Sequence, residues 1–354
     1  MTILLAALAL NPTKANPGST KTHPTAAQVS VTMAQIVDAF RPIALASAPA
    51  GSDIVAAMED GSVRIIDAKT HQTVRQLLKH PQPVYALAWS PDGRTVASGD
   101  ESGRVWIENA VTGKAVRGYR RHTKGVEKLS FNDDGNLLIS TGKDDSVNVY
   151  NLEDPQPKEQ RQILGNGRNF YGATFNPLSP RYFTVGMLDG GLREYDAESG
   201  EVAHSMSDPN GQGIFDVSYV PSGRFEVSAG RDGEAVIWDA KSFQRIGALK
   251  GHGDWVIAAA SSPNSRLVAT SSTDRTVKVW NMQTYQKVAD LPEQFSIGSP
   301  LCFTADGNTL VTVSDMGYLQ FNAITPAQPQ LNELTPVAAA KHRRRSVDAD
   351  TTQR

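Results

Sequence analysis

The chain has 354 residues, 40% apolar and 20% charged, with a formal net charge of −2. That composition supports a large folded core and excludes wholesale disorder. The near-neutral balance argues against non-specific nucleic-acid binding, which needs a basic surface to displace phosphate counterions.

At the N terminus, MTILLAALAL is a short apolar run followed by the polar, proline-containing NPTKANPGSTKTHPTAAQ. No run in the chain approaches the ~20 apolar residues that span a bilayer. A secretory signal would carry Lys or Arg ahead of the apolar run, and none is there. Residues 1–29 therefore read as a disordered leader, with a weak export signal as the alternative.

From residue 30 onward the chain repeats. DGSVRIID (60–67) recurs as SGRVWIEN (102–109), DDSVNVYN (144–151), DGGLREYD (189–196), DGEAVIWD (232–239), DRTVKVWN (274–281) and MGYLQFNA (316–323), at steps of 42, 42, 45, 43, 42 and 42. A fixed period of this size marks a repeat architecture. The second unit runs YALAWS-PDG-RTVASG and the third LSFN-DDG-NLLIST. The fifth runs IFDVSYV-PSG-RFEVSAG-RDG-EAVIWDA and ends in FQRIGALK. Short alternating runs parted by turn residues predict four antiparallel strands per unit. In the second unit Trp106 falls two positions ahead of the register held by Trp238 and Trp280, and reads as core between units. In the third, YRRHTKG sets Arg120, Arg121 and Lys124 in a loop that is either solvated or a contact for an acidic peptide. In the last, Cys302 is the single cysteine, so neither an intramolecular disulfide nor a cysteine-based metal site can form. Its apolar setting marks a buried structural thiol; a nucleophile wants basic neighbours.

Period and turn pattern together resemble the WD-repeat β-propeller family over residues 30–325. The naming dipeptide is literal only at Trp238-Asp239, with Trp280-Asn281, Tyr150-Asn151 and Tyr195-Asp196 as variants. The resemblance implies an all-β fold, a seven-bladed propeller of four-stranded antiparallel blades whose ring is closed by an N-terminal strand. Moving TVRQLL (73–78) back by one period lands on VTMAQI (31–36), the expected outer strand of the last blade; QLNELT (329–334) competes. The prolines of NAITPAQPQ discourage a fourth strand there.

In that family a His, a Ser or Thr, an Asp and a Trp form a buried hydrogen-bonded chain. The resemblance places these roles on His252, Thr270, Asp274 and Trp280, and again on His122, Ser140, Asp144 and Tyr150. The fifth unit keeps Ser228, Asp232 and Trp238, with Asn210 in place of the His. The second keeps His80 and Ser98, with Ser102 where the Asp would be. Ser, His and Asp are also the parts of a hydrolase triad. Yet the motif recurs beside Trp in several units, and the chain has no GxSxG, HExxH or GxxxxGK[ST]. The spacing marks a shape: no catalytic residue, metal or cofactor is expected.

Function should then reside in what varies between blades. In related propellers, side chains near the start of each blade's first strand meet partners across one face. Aligning the units puts Tyr85, Glu127, Tyr171, Phe215 and Ile257 at one such position, with Trp255 beside it. Aromatics there suit an interface. The expected function is a noncatalytic protein-protein interaction scaffold, a monomer within a hetero-complex, with partner peptides or loops crossing the propeller face. No specific nucleic acid and no transmembrane segment are expected. The alternatives are an exported bacterial envelope propeller and an enzymatic propeller with a ligand in its central channel. The expected location is cytoplasmic, or periplasmic or secreted if the N-terminal run is a signal. Residues 326–354 read as a disordered tail. Its KHRRRS is a nuclear-localisation patch, a basophilic kinase site at Ser346, or a solubilising segment.

Overall fold

A computed structural model describes residues 28–32, 41–154, 161–167, 169–207, 212–291 and 300–325. Every regular element among them is a strand. The first, β1 (Gln28–Thr32), precedes seven blades. Blade 1 comprises β2 (Pro42–Ser47), β3 (Asp53–Met58), β4 (Val63–Asp67) and β5 (Gln72–Gln76), and blade 2 comprises β6 (Val84–Trp89), β7 (Thr95–Asp100), β8 (Arg104–Asn109) and β9 (Ala115–Arg120). Blade 3 holds β10 (Val126–Phe131), β11 (Leu137–Gly142), β12 (Ser146–Asn151) and β13 (Arg161–Leu164); blade 4 holds β14 (Phe170–Phe175), β15 (Tyr182–Met187), β16 (Gly191–Asp196) and β17 (Val202–Ser207). Blade 5 follows with β18 (Ile214–Tyr219), β19 (Phe225–Gly230), β20 (Glu234–Asp239) and β21 (Arg245–Lys250), and blade 6 with β22 (Val256–Ser261), β23 (Leu267–Ser272), β24 (Val277–Asn281) and β25 (Lys287–Leu291). Blade 7 takes β26 (Cys302–Phe303), β27 (Thr309–Val313) and β28 (Leu319–Thr325) from the C-terminal side.

Each of blades 1 to 6 is a four-stranded antiparallel meander, and β1 completes blade 7 in the order β1-β28-β27-β26. The first and last described strands thus close the ring through one sheet, with Gln28 opposite Thr325 and Thr32 opposite Phe321. Ladder hydrogen bonds lock the first blade to the last and occupy an edge that would otherwise be unpaired. The closing strand begins three residues ahead of the 31–36 segment that the repeat period selects, so the propeller reaches into the segment read as leader. The rest of that leader, the competing segment 329–334 and the C-terminal tail lie outside the described residues.

Local chemistry explains why the same meander forms seven times. The turn between the second and third strands places a left-handed residue at one register. Gly61, Gly103, Gly190, Gly233 and Gly317 occupy it with φ of 80 to 82°, and Asp145 and Arg275 occupy it with φ of 60° and 67°. Glycine takes that conformation without a Cβ penalty. At Gly61 and Gly103 a Cβ would also lie 2.4 and 2.5 Å from the carbonyl oxygens of His80 and His122, on the loop leading into the next blade.

Packing is between blades. The buried apolar side chains form seven clusters, one at each blade boundary. Phe170, Phe175 and Phe183 of blade 4 pack on Ile139 and Val149 of blade 3, and Val311 and Phe321 of blade 7 on Ile54 and Ile66 of blade 1. Cys302 belongs to that last cluster, and burial pushes its thiol up to about 12. Trp106 departs from the expected core position. It is only half-buried on β8, its ring lying against Gly118 of β9.

Candidate functional site: the channel mouth and the buried polar chains

Within the blades, the polar chain of blade 6 is complete. His252 Nδ1 lies 3.0 Å from Asp274 Oδ2 and Nε2 lies 2.8 Å from Thr270 Oγ1, to which Trp280 Nε1–H donates at 2.8 Å. Asp274 also accepts from the backbone N–H of Gly253 and from the N–H and hydroxyl of Thr276. Blade 3 matches it: His122 sits 2.9 Å from Asp144 and 2.7 Å from Ser140, which lies 3.1 Å from the Tyr150 hydroxyl. In both blades burial depresses the imidazole despite the neighbouring carboxylate. In blade 5, Trp238 donates to Ser228 at 2.9 Å, while Asp232 accepts from the Glu234 backbone N–H. Asn210 lies outside the described residues.

Blade 2 differs from the sequence expectation. The carboxylate bound to His80 is Asp100, at 3.0 Å, and not a substitute at Ser102. Ser102 instead donates its N–H and hydroxyl to Asp100 Oδ1. Blade 6 has Ser272 and Asp274 where blade 2 has Asp100 and Ser102, so the two residue types exchange positions across the same turn. His80 Nε2 lies 2.8 Å from Ser98, and Ser98 donates to Glu108, the residue at the Trp register. A Ser–His–Asp set is therefore assembled, but Ser98, His80 and Asp100 are at most 1% exposed. A nucleophile that no substrate can reach performs no acyl transfer; these atoms hold strands together.

At the start of each first strand lies the surface that varies. In blades 1 to 6 the ladder between the first two strands shifts register at one place, and the residue left unpaired is Ile43, Tyr85, Glu127, Tyr171 (with Gly172), Phe215 or Ile257. A bulge re-aims the side chain of its extra residue. Here all six line the mouth of the central channel, a cavity of about 290 Å³ that Pro300 and Leu301 complete from blade 7.

The mouth combines aromatic rings with paired charges. Tyr171 meets Phe215 edge-on with centroids 5.8 Å apart, and Phe215 stacks on Trp255 at 5.6 Å. The Arg231 guanidinium lies over the Trp255 ring at 4.4 Å, and the Lys143 ammonium over Tyr85 at 4.8 Å. Tyr85 and Trp255 remain 40% and 39% exposed. Deeper in, Lys128 of blade 3 reaches across blade 4 to Asp216 of blade 5 at 2.6 Å. Gly172 leaves room for this: a Cβ there would stand 2.5 Å from the Asp216 Cα. Lys143 bonds Glu101 at 2.7 Å and stands 4.0 Å from Glu127, whose carboxyl burial raises above the ordinary range.

All six proposed contact residues thus gather at one end of the channel, Trp255 at its edge. Sequence alignment missed Lys128, Asp216, Lys143 and Arg231. The first two sit one position after the aligned column, which was the available signal; the latter two meet the rings only through tertiary packing. A larger cavity, about 960 Å³, opens at the opposite strand ends between blades 3 and 4. Its lining is mostly polar, including Asn132, Asp134, Arg161 and Arg181, with no aromatic surface. Among the described residues no group of three or more His, Cys, Asp or Glu is placed to hold a metal ion, and no helix is long and apolar enough to cross a membrane.

The family model "WD domain, G-beta repeat" matches residues 71–107, 113–151, 200–239 and 243–281. The chain thus carries four WD repeats within a β-propeller of seven four-stranded blades closed in a ring. It is similar to actin-interacting protein 1 of Drosophila melanogaster, 25% identical over 48% of this chain and 28% of that protein. It is also similar to a guanine nucleotide-binding protein subunit beta of Saccharomyces cerevisiae, 32% identical over 32% of this chain and 26% of the relative. Eukaryotic translation initiation factor 3 subunit I of Aspergillus oryzae is 32% identical over 29% of this chain and 31% of its own length. The matched segments span less than a third of each of these relatives.

Proposed function

We propose that the protein is a noncatalytic interaction platform that receives a peptide or loop of a partner protein at the channel mouth, as one subunit of a larger assembly. The observation that carries this reading is the run of first-strand bulges, which turns Tyr85, Glu127, Tyr171, Phe215 and Ile257 toward one opening beside Trp255. Large, rigid aromatic surface is well suited to a contact that excludes water, because it loses little side-chain entropy on binding. Trp255 is held between Phe215 and Arg231, and Tyr85 lies under Lys143, so two of the rings are pre-positioned before a partner arrives. The names of the relatives, two of them subunits of larger proteins, fit such a role. A cytoplasmic location goes with this reading, and a mature N terminus starting after residue 9 would overturn that part.

Affinity capture from native lysate tests it, comparing the wild type with a folded variant carrying Ala at 85, 171, 215 and 255. Partners lost only with the variant support the mouth as the binding surface. The same partners retained would move the site elsewhere on the propeller.

A further inference from the structure

Blade 2 poses a proton-counting problem that blades 3 and 6 do not. In blade 6 donors and acceptors run one way. The Trp280 indole can only donate, so Thr270 accepts from it and gives its own hydrogen to His252 Nε2, and the Nδ1–H points to ionised Asp274. The histidine is neutral and every atom is satisfied. In blade 3 the Tyr150 hydroxyl can play the same part as the indole.

Blade 2 replaces the indole with Glu108, whose Oε1 lies 2.9 Å from Ser98 Oγ and whose Oε2 accepts from the Leu78 backbone N–H at 2.7 Å. Asp100 is fixed as an anion by the N–H and hydroxyl of Ser102 and the N–H of Arg104, so His80 Nδ1 must donate to it. Ser98 has one hydrogen and two neighbours, His80 Nε2 at 2.8 Å and Glu108. With neutral His80 and ionised Glu108 both would be acceptors, and one contact would set lone pair against lone pair in a site closed to water. One additional proton resolves it, on His80 Nε2 or on the Glu108 carboxyl.

We propose that blade 2 is built around a bound proton: the Asp100–His80–Ser98–Glu108 chain holds one more proton than the chains of blades 3 and 6, and breaks when that proton leaves. Burial, the largest influence on Glu108, raises its carboxyl and acts in the same sense. The ionisable groups facing one another are Asp100, His80 and Glu108. Arg104 contributes its backbone N–H, and the Lys79 ammonium is engaged by Asp60 at 2.8 Å. Through the Leu78 N–H and the His80 ring, the same chain anchors the loop that leads to Tyr85 at the channel mouth. Deprotonation, with the proton passing to solvent, therefore loosens the segment that presents Tyr85.

Glu108→Gln is the diagnostic change. Its amide oxygen accepts from Leu78 and its amide nitrogen donates to Ser98, which restores the direction set by Trp280 in blade 6 without the extra proton. A group held protonated by the fold stabilises below the unfolded-state titration range and loses that contribution as pH rises through the folded value. The ratio of unfolding constants, variant over wild type, is then expected to fall about tenfold per pH unit across roughly pH 5 to 8, one proton's worth, because other groups cancel between the two proteins. A ratio independent of pH overturns the proposal. If the variant does not fold, nitrogen-15 and carbonyl carbon-13 NMR of the wild type at pH 7 decides. An imidazolium at His80 or a neutral carboxyl at Glu108 supports the bound proton; a neutral ring beside an ionised Glu108 refutes it.

Discussion

Blades 5 and 6 share strand order, register and an inward Trp bonded to a hydroxyl, at 2.9 Å in one and 2.8 Å in the other. They differ in how each treats a carboxylate. Asp274 in blade 6 is surrounded by donors. Burial, the largest single influence, would raise it, but the hydrogen bonds from Thr276, Gly253 and His252 outweigh burial and bring it to about 2. Glu226 on β19 is fully buried opposite Tyr219, and its Oε1 has no hydrogen-bond partner among the described residues. There burial wins and pushes the carboxyl up to about 8, with the charge of Glu194 acting in the same direction. One scaffold thus holds an anion in one blade and a neutral acid in the next. The difference lies in the donors each site supplies, since desolvation acts on both.

That contrast can be broken most forcefully at Asp274. Asp274→Ala removes the acceptor of three donors besides His252 and leaves a buried imidazole without its partner, so it is expected to cost about 3 kcal/mol at neutral pH by urea denaturation. A loss below about 1 kcal/mol would show that the chain contributes little to holding the blade. Because Asp274 is depressed, its contribution is complete above the ordinary aspartate range and disappears as pH falls through about 2.

Glu226 has the opposite sign. A raised carboxyl contributes stability below the ordinary glutamate range, and that contribution is lost as pH rises through about 8. Glu226→Gln keeps the shape without the charge, and is expected to be more stable than the wild type by roughly 2 kcal/mol at pH 9, and by much less at pH 5. Parallel melting curves at the two pH values would reveal a pH-independent offset, and with it a failure of this account.

Smaller effects distinguish surface from interior. Trp255→Ala removes a stacked but 39% exposed ring, and its expected cost is about 1 kcal/mol by chemical denaturation. A loss as large as that of Asp274→Ala would make the rim a structural element first. Smallest is Arg275→Gly, which relieves a left-handed non-glycine residue at the shared turn and gives up an exposed ion pair with Asp315. A net gain of about 0.5 kcal/mol is expected; destabilisation would show that the ion pair outweighs the backbone strain.

Much of this molecule was legible in advance because the repeat supplies seven readings of the same unit. Each uncertain strand could be checked against the others, and the His, hydroxyl and Trp positions of blade 6 followed from their place in the period. The errors arose where a unit departs from its neighbours. Alignment gave the acidic role in blade 2 to the register position of Ser102, whereas the role depends on which oxygen reaches the His80 ring, and that oxygen belongs to Asp100. Glu108 stands at the register of Trp280, and its carboxyl continues the chain through Ser98. The closing strand was found in kind but three residues late, because ladder pairing with β28, and not the period, sets its register.

The amino-acid order by itself determined the blade count, the strands, the left-handed turns and the residue types facing inward, since these follow from local periodicity and from chain conformations available only to certain residues. Tertiary structure alone decided what meets across blades: Lys128 with Asp216, Arg231 with Trp255, and the six bulged residues around one opening. Those partners lie tens of residues apart, and their distances are set by the curvature and closure of the ring, which no local stretch of the chain encodes.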